Sequence, residues 1–473
     1  MAKKQTQKPK NLERSVFFQH CLRYQKIYLL LLFLLLSSFI FFNNAQDGKP
    51  LLADAESYYH LAEAKSLSVR NFHYAPLAFL EEQGGMLSLV FLALILAILT
   101  LFNIWTIFRK LNFSATHTFI FSLILILTPA FMRSATSLSS ALLYLFLLSL
   151  SFVLFFHCQQ KIRYLAVFPS LAIACLDQFS VLLTLIIFAL SALNSERNSR
   201  RLIWISSGVL LLAAGATTFI FDISFLSGPF HTSQLARDLI SDFGSFSGMS
   251  FFVFVLGLLG LVISWPRKVS YFLLYLVLPL LVPAYVYNPE ALFPLSIIFI
   301  FFATRTILTF LRHQWQLPIL QRFTVFLLFL GILFSSLSYI SQIESAGLQR
   351  DDLEVLHWMK EYLPDEAIVA SFPEDADYLR YFAGKEIFFA YHFQDPEKEN
   401  NNSLILDAEY VQQLFPLLEK NGIGYLYIST SAAEQLPRER GLFFLFQNER
   451  FKLLYSSGES GVWKFDLSAS EGG

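Results

Sequence analysis

Apolar residues in this chain gather into long unbroken runs, separated by stretches that are mostly short and polar. The runs lie at about 27–42, 86–108, 117–132, 136–156, 164–176, 179–193, 202–221, 250–264, 271–287, 291–304 and 323–340. A helix rises about 1.5 Å per residue and needs roughly 20 apolar residues to cross the hydrocarbon core of a bilayer. The pattern therefore predicts a polytopic α-helical membrane bundle of about eleven spans, several of them short. The first run starts late and no small-residue cleavage site follows it, so it reads as an uncleaved span.

The connections between runs alternate in charge. One set carries Arg109-Lys110, Lys161 with Arg163, Arg197 with Arg200-Arg201, Arg267-Lys268, and Arg305, Arg312 and Arg322. The other carries only Lys49, Lys65, Arg70, Arg133 and Arg237. Cytoplasmic loops are the ones enriched in Lys and Arg. Residues 1–26 are then a basic cytoplasmic tail and residues 27–345 a transmembrane domain. An odd number of spans puts the C-terminus outside, in a multi-pass protein of the cell (plasma) membrane. Two extracytoplasmic loops are long, 43–85 and 222–249, and long loops in compact proteins are more often functional than incidental.

After about residue 345 the pattern changes to that of ordinary soluble sequence. Leu353, Leu356, Met359 and Leu363 have helical spacing, and Pro364-Asp365 ends that helix. Ala367–Ser371 and Tyr425–Ile428 read as strands, and Ala408–Lys420 as a helix stopped by Asn421-Gly422. Phe451–Tyr455 and Val462–Phe465 read as a hairpin. Residues 346–473 are thus expected to form a small extracytoplasmic α/β domain.

Composition agrees with this division and excludes several classes. The chain is 55% hydrophobic and 15% charged, more apolar than a soluble protein of this length needs. Its net charge of −1 gives no ground for a nucleic-acid partner. The cytoplasmic loops are too short for a nucleotide-binding domain, which argues against a sugar-nucleotide donor bound inside and against an ATP-driven pump. No zinc spacing, phosphate-cradling glycine loop or Ser/His/Asp order stands out. Cys21, Cys158 and Cys175 do not suggest a disulfide framework.

Candidate chemistry concentrates in Asp54-Ala-Glu-Ser-Tyr-Tyr-His-Leu61, early in the first long loop. In an extended segment Asp54 and Glu56 would share a face and could meet one cation or one acceptor group. In the alternative, Asp54 caps a helix starting at Ala55. Tyr58, Tyr59 and His60 could hydrogen-bond a phosphate or simply anchor the membrane interface. Arg133, the one cation of the turn Pro129–Thr136, could neutralise a leaving phosphate or snorkel to the interface. Pro373-Glu-Asp-Ala-Asp377 is an acidic cluster after a strand, of the kind usually found in solvated turns.

Four of these stretches carry a family resemblance. Asp54–Leu61 resembles the first-loop motif of the GT-C membrane glycosyltransferases, in the form found in the archaeal single-subunit oligosaccharyltransferase. Pro129–Ala135 resembles the stretch leading into that family's second acidic loop, and 230–248 its long mobile loop. Ala370–Lys385 resembles, without gaps, the region of its WWDYG motif and the residues after it. There are departures: Ala62 stands for an arginine, and Ser137-Leu-Ser-Ser140 for a metal-binding acid. Gln234 and Ala236 stand near an expected glutamate, and Phe372-Pro-Glu-Asp-Ala376 replaces the motif that reads the hydroxyl residue of an asparagine sequon.

The resemblance implies transfer of a sugar or oligosaccharide from a polyprenyl-(pyro)phosphate donor in the bilayer to a protein or glycan acceptor outside. Asp54 would be the base, with Glu56 assisting it or joining it in holding a divalent metal such as Mg or Mn. His60, Tyr58, Tyr59 and Arg133 would face the donor phosphate. Glu374, Asp375, Asp377 and His231 would lie on the acceptor side. A catalytically inactive relative binding a lipid-linked glycan, and a lipid or solute transporter, are the alternatives. Against the transporter, span interiors are nearly free of the charges that mark translocation routes.

Overall fold

The structure, a computed structural model, describes residues 16–52, 54–66, 75–157, 159–176, 178–193, 197–221, 239–243, 248–268, 271–287, 291–313, 315–390, 395–436 and 441–467. The chain divides into two compact units. One comprises Met1–Ile40 with Phe91–Ile343, the other Phe41–Val90 with Glu344–Gly473. The first long loop, which the sequence reading assigned to the transmembrane domain, therefore belongs with the C-terminal domain.

The apolar runs fold as helices, as backbone groups in lipid require. Among the described residues four helices are long and apolar enough to cross a membrane: Gln25–Gln46, Pro76–Lys110, Leu292–Arg312 and Pro318–Ser341. A fifth candidate is the pair Ala115–Leu127 and Pro129–Ala135, bent by 70°. Ser140–Phe155, Gln178–Leu193, Phe251–Arg267 and Phe272–Val286 are shorter apolar helices. The expected run at 164–176 is interrupted, a single 3-10 turn at Tyr164–Ala166 preceding the helix Val167–Ile173. These helices point to a membrane location, and the count of about eleven spans goes beyond what their lengths show.

Leu292–Arg312 is the core helix of the first unit: 78% of its apolar window is buried, against 33% for the other three long helices. Helix Phe251–Ser264 approaches it closely through glycines. A Cβ on Gly257 would meet the Phe299 ring at 2.5 Å, and one on Gly260 the Phe302 carbonyl oxygen at 2.0 Å. Small residues at such crossings let two backbones meet, the usual means of helix association in lipid. The Thr306 hydroxyl donates to the Leu256 carbonyl at 2.7 Å across the same contact.

In the second unit the C-terminal residues build a five-stranded mixed sheet in the order β2-β1-β3-β5-β4. The strands are β1 (Ile368–Ala370), β2 (Glu386–Ile387), β3 (Tyr425–Ile428), β4 (Phe451–Ser457) and β5 (Ser460–Phe465). β1 pairs in parallel with β2 and β3, while β5 runs antiparallel to β3 and β4. Helix Val411–Lys420 presents Leu414 and Leu418 to a core shared with Leu426, Ile428 and Phe465. Helix Arg350–Tyr362 stacks Trp358 on Tyr455 of β4, the rings nearly parallel at 5.3 Å. After β1 the chain makes a helical turn at Ala376–Tyr378 and a π turn at Leu379–Ala383, ended by Gly384 in the left-handed region. That last segment meets the first-loop helix Ala55–Ser66 within the same unit.

Candidate functional site

The first-loop helix is started by its own sequence. The Asp54 carbonyl accepts the Ser57 N–H at 3.1 Å, and its Oδ1 accepts the Glu56 N–H at 3.4 Å. An aspartate there satisfies donors that the first turn leaves without intrahelical partners. Glu56 in the first turn and Lys65 in the last complement the helix dipole. Of the two arrangements open from the sequence, the capped helix is the one formed.

The shared carboxylate face is accordingly corrected. Glu56 lies on the helix, where its Oε1 is 3.4 Å from His60 Nε2 one turn on. Asp54 and Glu56 thus serve different partners. Among the described residues no three His, Cys, Asp or Glu side chains converge as metal ligands would. For the expected Mg or Mn at Asp54 and Glu56, the described residues bring no further His, Cys, Asp or Glu into a group of three.

Tyr58 is also reassigned. Its ring is fully buried among Tyr378, Tyr381 and Phe382, with centroids at 5.1, 5.2 and 5.1 Å. Its hydroxyl donates to the Leu52 carbonyl at 3.3 Å, and burial pushes its pKa upward. That is a packing role, with the hydroxyl turned to backbone rather than to a phosphate. Tyr59 and His60 are half-buried neighbours, ring centroids 5.4 Å apart. Burial, with Glu63 adding to it, pushes the Tyr59 hydroxyl up to about 12, while Arg380 opposes the shift.

One ion pair fastens this helix to the π turn directly, and Glu81 bridges the two through a hydrogen bond and a second ion pair. Arg380 pairs with Glu63. The Tyr381 hydroxyl donates to Glu81 Oε1 at 2.6 Å, and Lys65 Nζ reaches the same oxygen at 3.0 Å. The Lys65 ammonium also lies 3.8 Å from the centroid of the Tyr381 ring. Burial, and then the Glu81 carboxylate, drive the Tyr381 hydroxyl far above its ordinary pKa. Glu63, Lys65, Glu81, Arg380 and Tyr381 were not singled out from the sequence. The usable signals were Glu81-Glu82 and the place of Arg380 and Tyr381 inside the 370–385 stretch.

The acceptor-side candidates separate. Glu374 is exposed, whereas Asp375 and Asp377 are buried, so the expected solvated turn is corrected at both positions. Asp375 Oδ2 accepts the Ser429 hydroxyl at 2.6 Å. Burial pushes its carboxyl up to about 7; the Ser429 bond opposes this and Asp352 and Glu374 reinforce it. Asp352 in turn accepts the Thr430 N–H at 2.8 Å and the Gln349 N–H at 2.9 Å. Asn401 of the sequon Asn401-Asn-Ser403 is buried on the helix Pro396–Leu406, which removes it as an accessible acceptor.

Arg133 belongs to the membrane unit, on the short helix Pro129–Ala135 where the sequence suggested a turn. Its carbonyl accepts the Ser137 hydroxyl at 2.8 Å, so that serine is engaged with backbone. His231 lies outside the described residues, as does most of the loop 222–249.

No family model matches this chain. No curated protein matches it either. Solved structures do. The oligosaccharyltransferase of Archaeoglobus fulgidus in its apo form aligns over 86% of this chain and 69% of that chain, at 13% identity and a TM-score of 0.60. The oligosaccharyltransferase AglB of the same organism, in complex with an inhibitory peptide and a dolichol-phosphate, aligns over 88% and 70% at 12% identity and a TM-score of 0.56. ArnT of Cupriavidus metallidurans in the apo state aligns over 88% and 94% at 11% identity and a TM-score of 0.47. Coverage of this extent takes in residues of both compact units. In fold, the chain is similar to the archaeal oligosaccharyltransferase.

Proposed function

We propose that this protein is a GT-C membrane glycosyltransferase. It would move a sugar or oligosaccharide from a polyprenyl-phosphate or polyprenyl-pyrophosphate donor to a protein or glycan acceptor on the extracytoplasmic face. The observation that carries the reading is the fold match, which spans membrane helices and C-terminal domain together. That one archaeal relative is seen in complex with a dolichol-phosphate supports a polyprenyl-phosphate donor.

In the transfer, the acceptor atom attacks the anomeric carbon and the anomeric C–O bond breaks. Its electron pair leaves with the phosphate, and the acceptor's proton must go to a base. Asp54, held at the start of the first-loop helix, is that base in this reading. Glu56 orients the His60 ring, and His60 and Tyr59 are the candidates for stabilising the leaving phosphate. No step here passes through a metal. A second reading, a relative that binds a lipid-linked glycan without turnover, is favoured by Ser137-Leu-Ser-Ser140, where the resembled family has a metal-binding acid.

The test uses purified full-length protein, undecaprenyl-phosphate-linked radiolabelled hexose as donor and a total membrane extract as acceptor. Asp54→Ala is expected to lower transfer by about 10²-fold or more while leaving insertion and folding intact. Unimpaired transfer by that variant would refute the role of Asp54. Donor binding without turnover in the wild type would favour the second reading.

A further inference from the structure

The first-loop helix carries Asp54 at its N-terminus, yet its own sequence gives it little intrinsic hold. It is short, and isolated helices of about this length are marginal in water. What fixes it is the segment 376–383, far away in sequence. Tyr58 is wedged among three aromatic rings of that segment. Arg380 reaches Glu63, and Tyr381 meets Glu81 beside Lys65. The pair Arg380–Glu63 is largely shielded from solvent, with side chains 29% and 14% exposed, so it is screened less than a surface pair. The residues doing this sit on a π turn, a rare backbone form that recurs at functional sites. A π turn spreads its side chains differently from an α turn, and here both Arg380 and Tyr381 find first-loop carboxylates.

We propose that Arg380 and Glu63 are positioning residues: with the π turn they clamp the first-loop helix and thereby set the orientation of Asp54 toward its substrate. This rests on the transferase reading for its purpose, but the clamp can be measured by itself. Misplacement of a reacting group by about 1 Å is enough to cut a rate steeply, so the clamp should show in turnover more than in donor affinity.

The experiment compares wild type, Arg380→Glu, Glu63→Arg, the double exchange of both, and Arg380→Lys, all as full chains in detergent. Hydrogen exchange of the amides in 55–66 is read first. Each charge reversal is expected to speed exchange there by tenfold or more. The double exchange and Arg380→Lys should restore most of the protection, with the overall unfolding temperature little changed. In the hexose assay, kcat should fall at least tenfold in the single reversals at nearly constant donor KM and recover in the double exchange. Unchanged exchange in the single variants, or a double variant no better than the singles, overturns the clamp. If Asp54→Ala transfers normally while exchange responds as described, the clamp stands and the transferase reading falls. If Asp54→Ala is inactive while exchange and kcat ignore the reversals, only the clamp falls.

Discussion

In the membrane unit, many hydroxyls turn back onto their own helices. Thr128 donates to the Ile124 carbonyl at 2.7 Å, Ser170 to Ala166 at 2.8 Å and Thr304 to Ile300 at 2.8 Å. In the unit built from the first loop and the C-terminal domain, polar side chains instead reach across the sequence. Arg380 pairs with Glu63 at a separation of 317 residues, Tyr381 with Glu81 at 300, and Thr430 with Asp352 at 78. Water explains the difference. Where it is absent, many hydroxyls take a carbonyl of their own helix, and helices are joined by close packing and small residues with a few bonds such as Thr306 to Leu256 between them. Where it is present, a long-range pair must outcompete solvent, so it survives where burial supports it. Geometry is therefore set by shape in one unit and by specific polar pairs in the other.

The strongest way to break this contrast is steric. Gly260→Leu places a side chain where even a Cβ would lie 2.0 Å from the Phe302 carbonyl oxygen. Overpacking costs about 1–3 kcal/mol, and more where backbone must move, as here. We expect the variant to lose its monodisperse peak in detergent size-exclusion chromatography. Normal recovery and melting would show that the two helices do not depend on this close approach.

A titration sharpens the other half. Burial holds the Asp375 carboxyl at about 7 in the folded protein, against 3.8 for an unperturbed carboxylate. Between about pH 4 and 7 the folded state keeps a proton that the unfolded state has lost. Stability from this group is therefore full at low pH and falls as pH rises through that window, by an amount on the order of 4 kcal/mol. Asp375→Asn should flatten the fall, read as unfolding temperature of the full chain from pH 4.5 to 7.5. An identical slope in both proteins would sink the assignment. The neighbouring Tyr427 hydroxyl, pushed far upward by burial and by Asp352 and Asp375, does not titrate in this range.

The same contrast explains how much could be read from sequence. The helices Gln25–Gln46 and Leu292–Arg312 were legible because unbroken apolar runs mark them, although the runs 27–42 and 291–304 fell short of the helices' full lengths. β3 and the β4–β5 hairpin were legible because their short apolar runs are bounded by turn residues. Helix Pro129–Ala135 was read as a turn because Pro129, suited to the first helical position, also looks like a breaker. Asp54 was legible as a cap or a site, and its local cap starts the helix while tertiary contacts hold it. The clamp was invisible, since Glu63 and Arg380 carry no local pattern that links them. The inward turn of Asp375 was missed for the same reason: Ser429 lies 54 residues away.

The smallest expected effect comes from an ion pair of the same chemistry as Arg380–Glu63 in the same unit. Lys420 Nζ lies 2.9 Å from Glu397 Oε1, but the two side chains are 63% and 73% exposed. Solvent screens such a pair and ordering two long side chains offsets much of its attraction, so pairs of this kind contribute within about 1 kcal/mol. Glu397 also lies in the first turn of the helix Pro396–Leu406, where its charge favours the helix dipole slightly. Glu397→Gln keeps most of the side-chain volume and removes both terms. We expect its unfolding temperature to stay within a degree or two of wild type, with exchange at 55–66 unchanged. A loss of exchange protection as large as that expected for Arg380→Glu would mean that distance, not burial, decides which polar pairs hold this unit, and the contrast drawn between its interior and its surface would have to be given up.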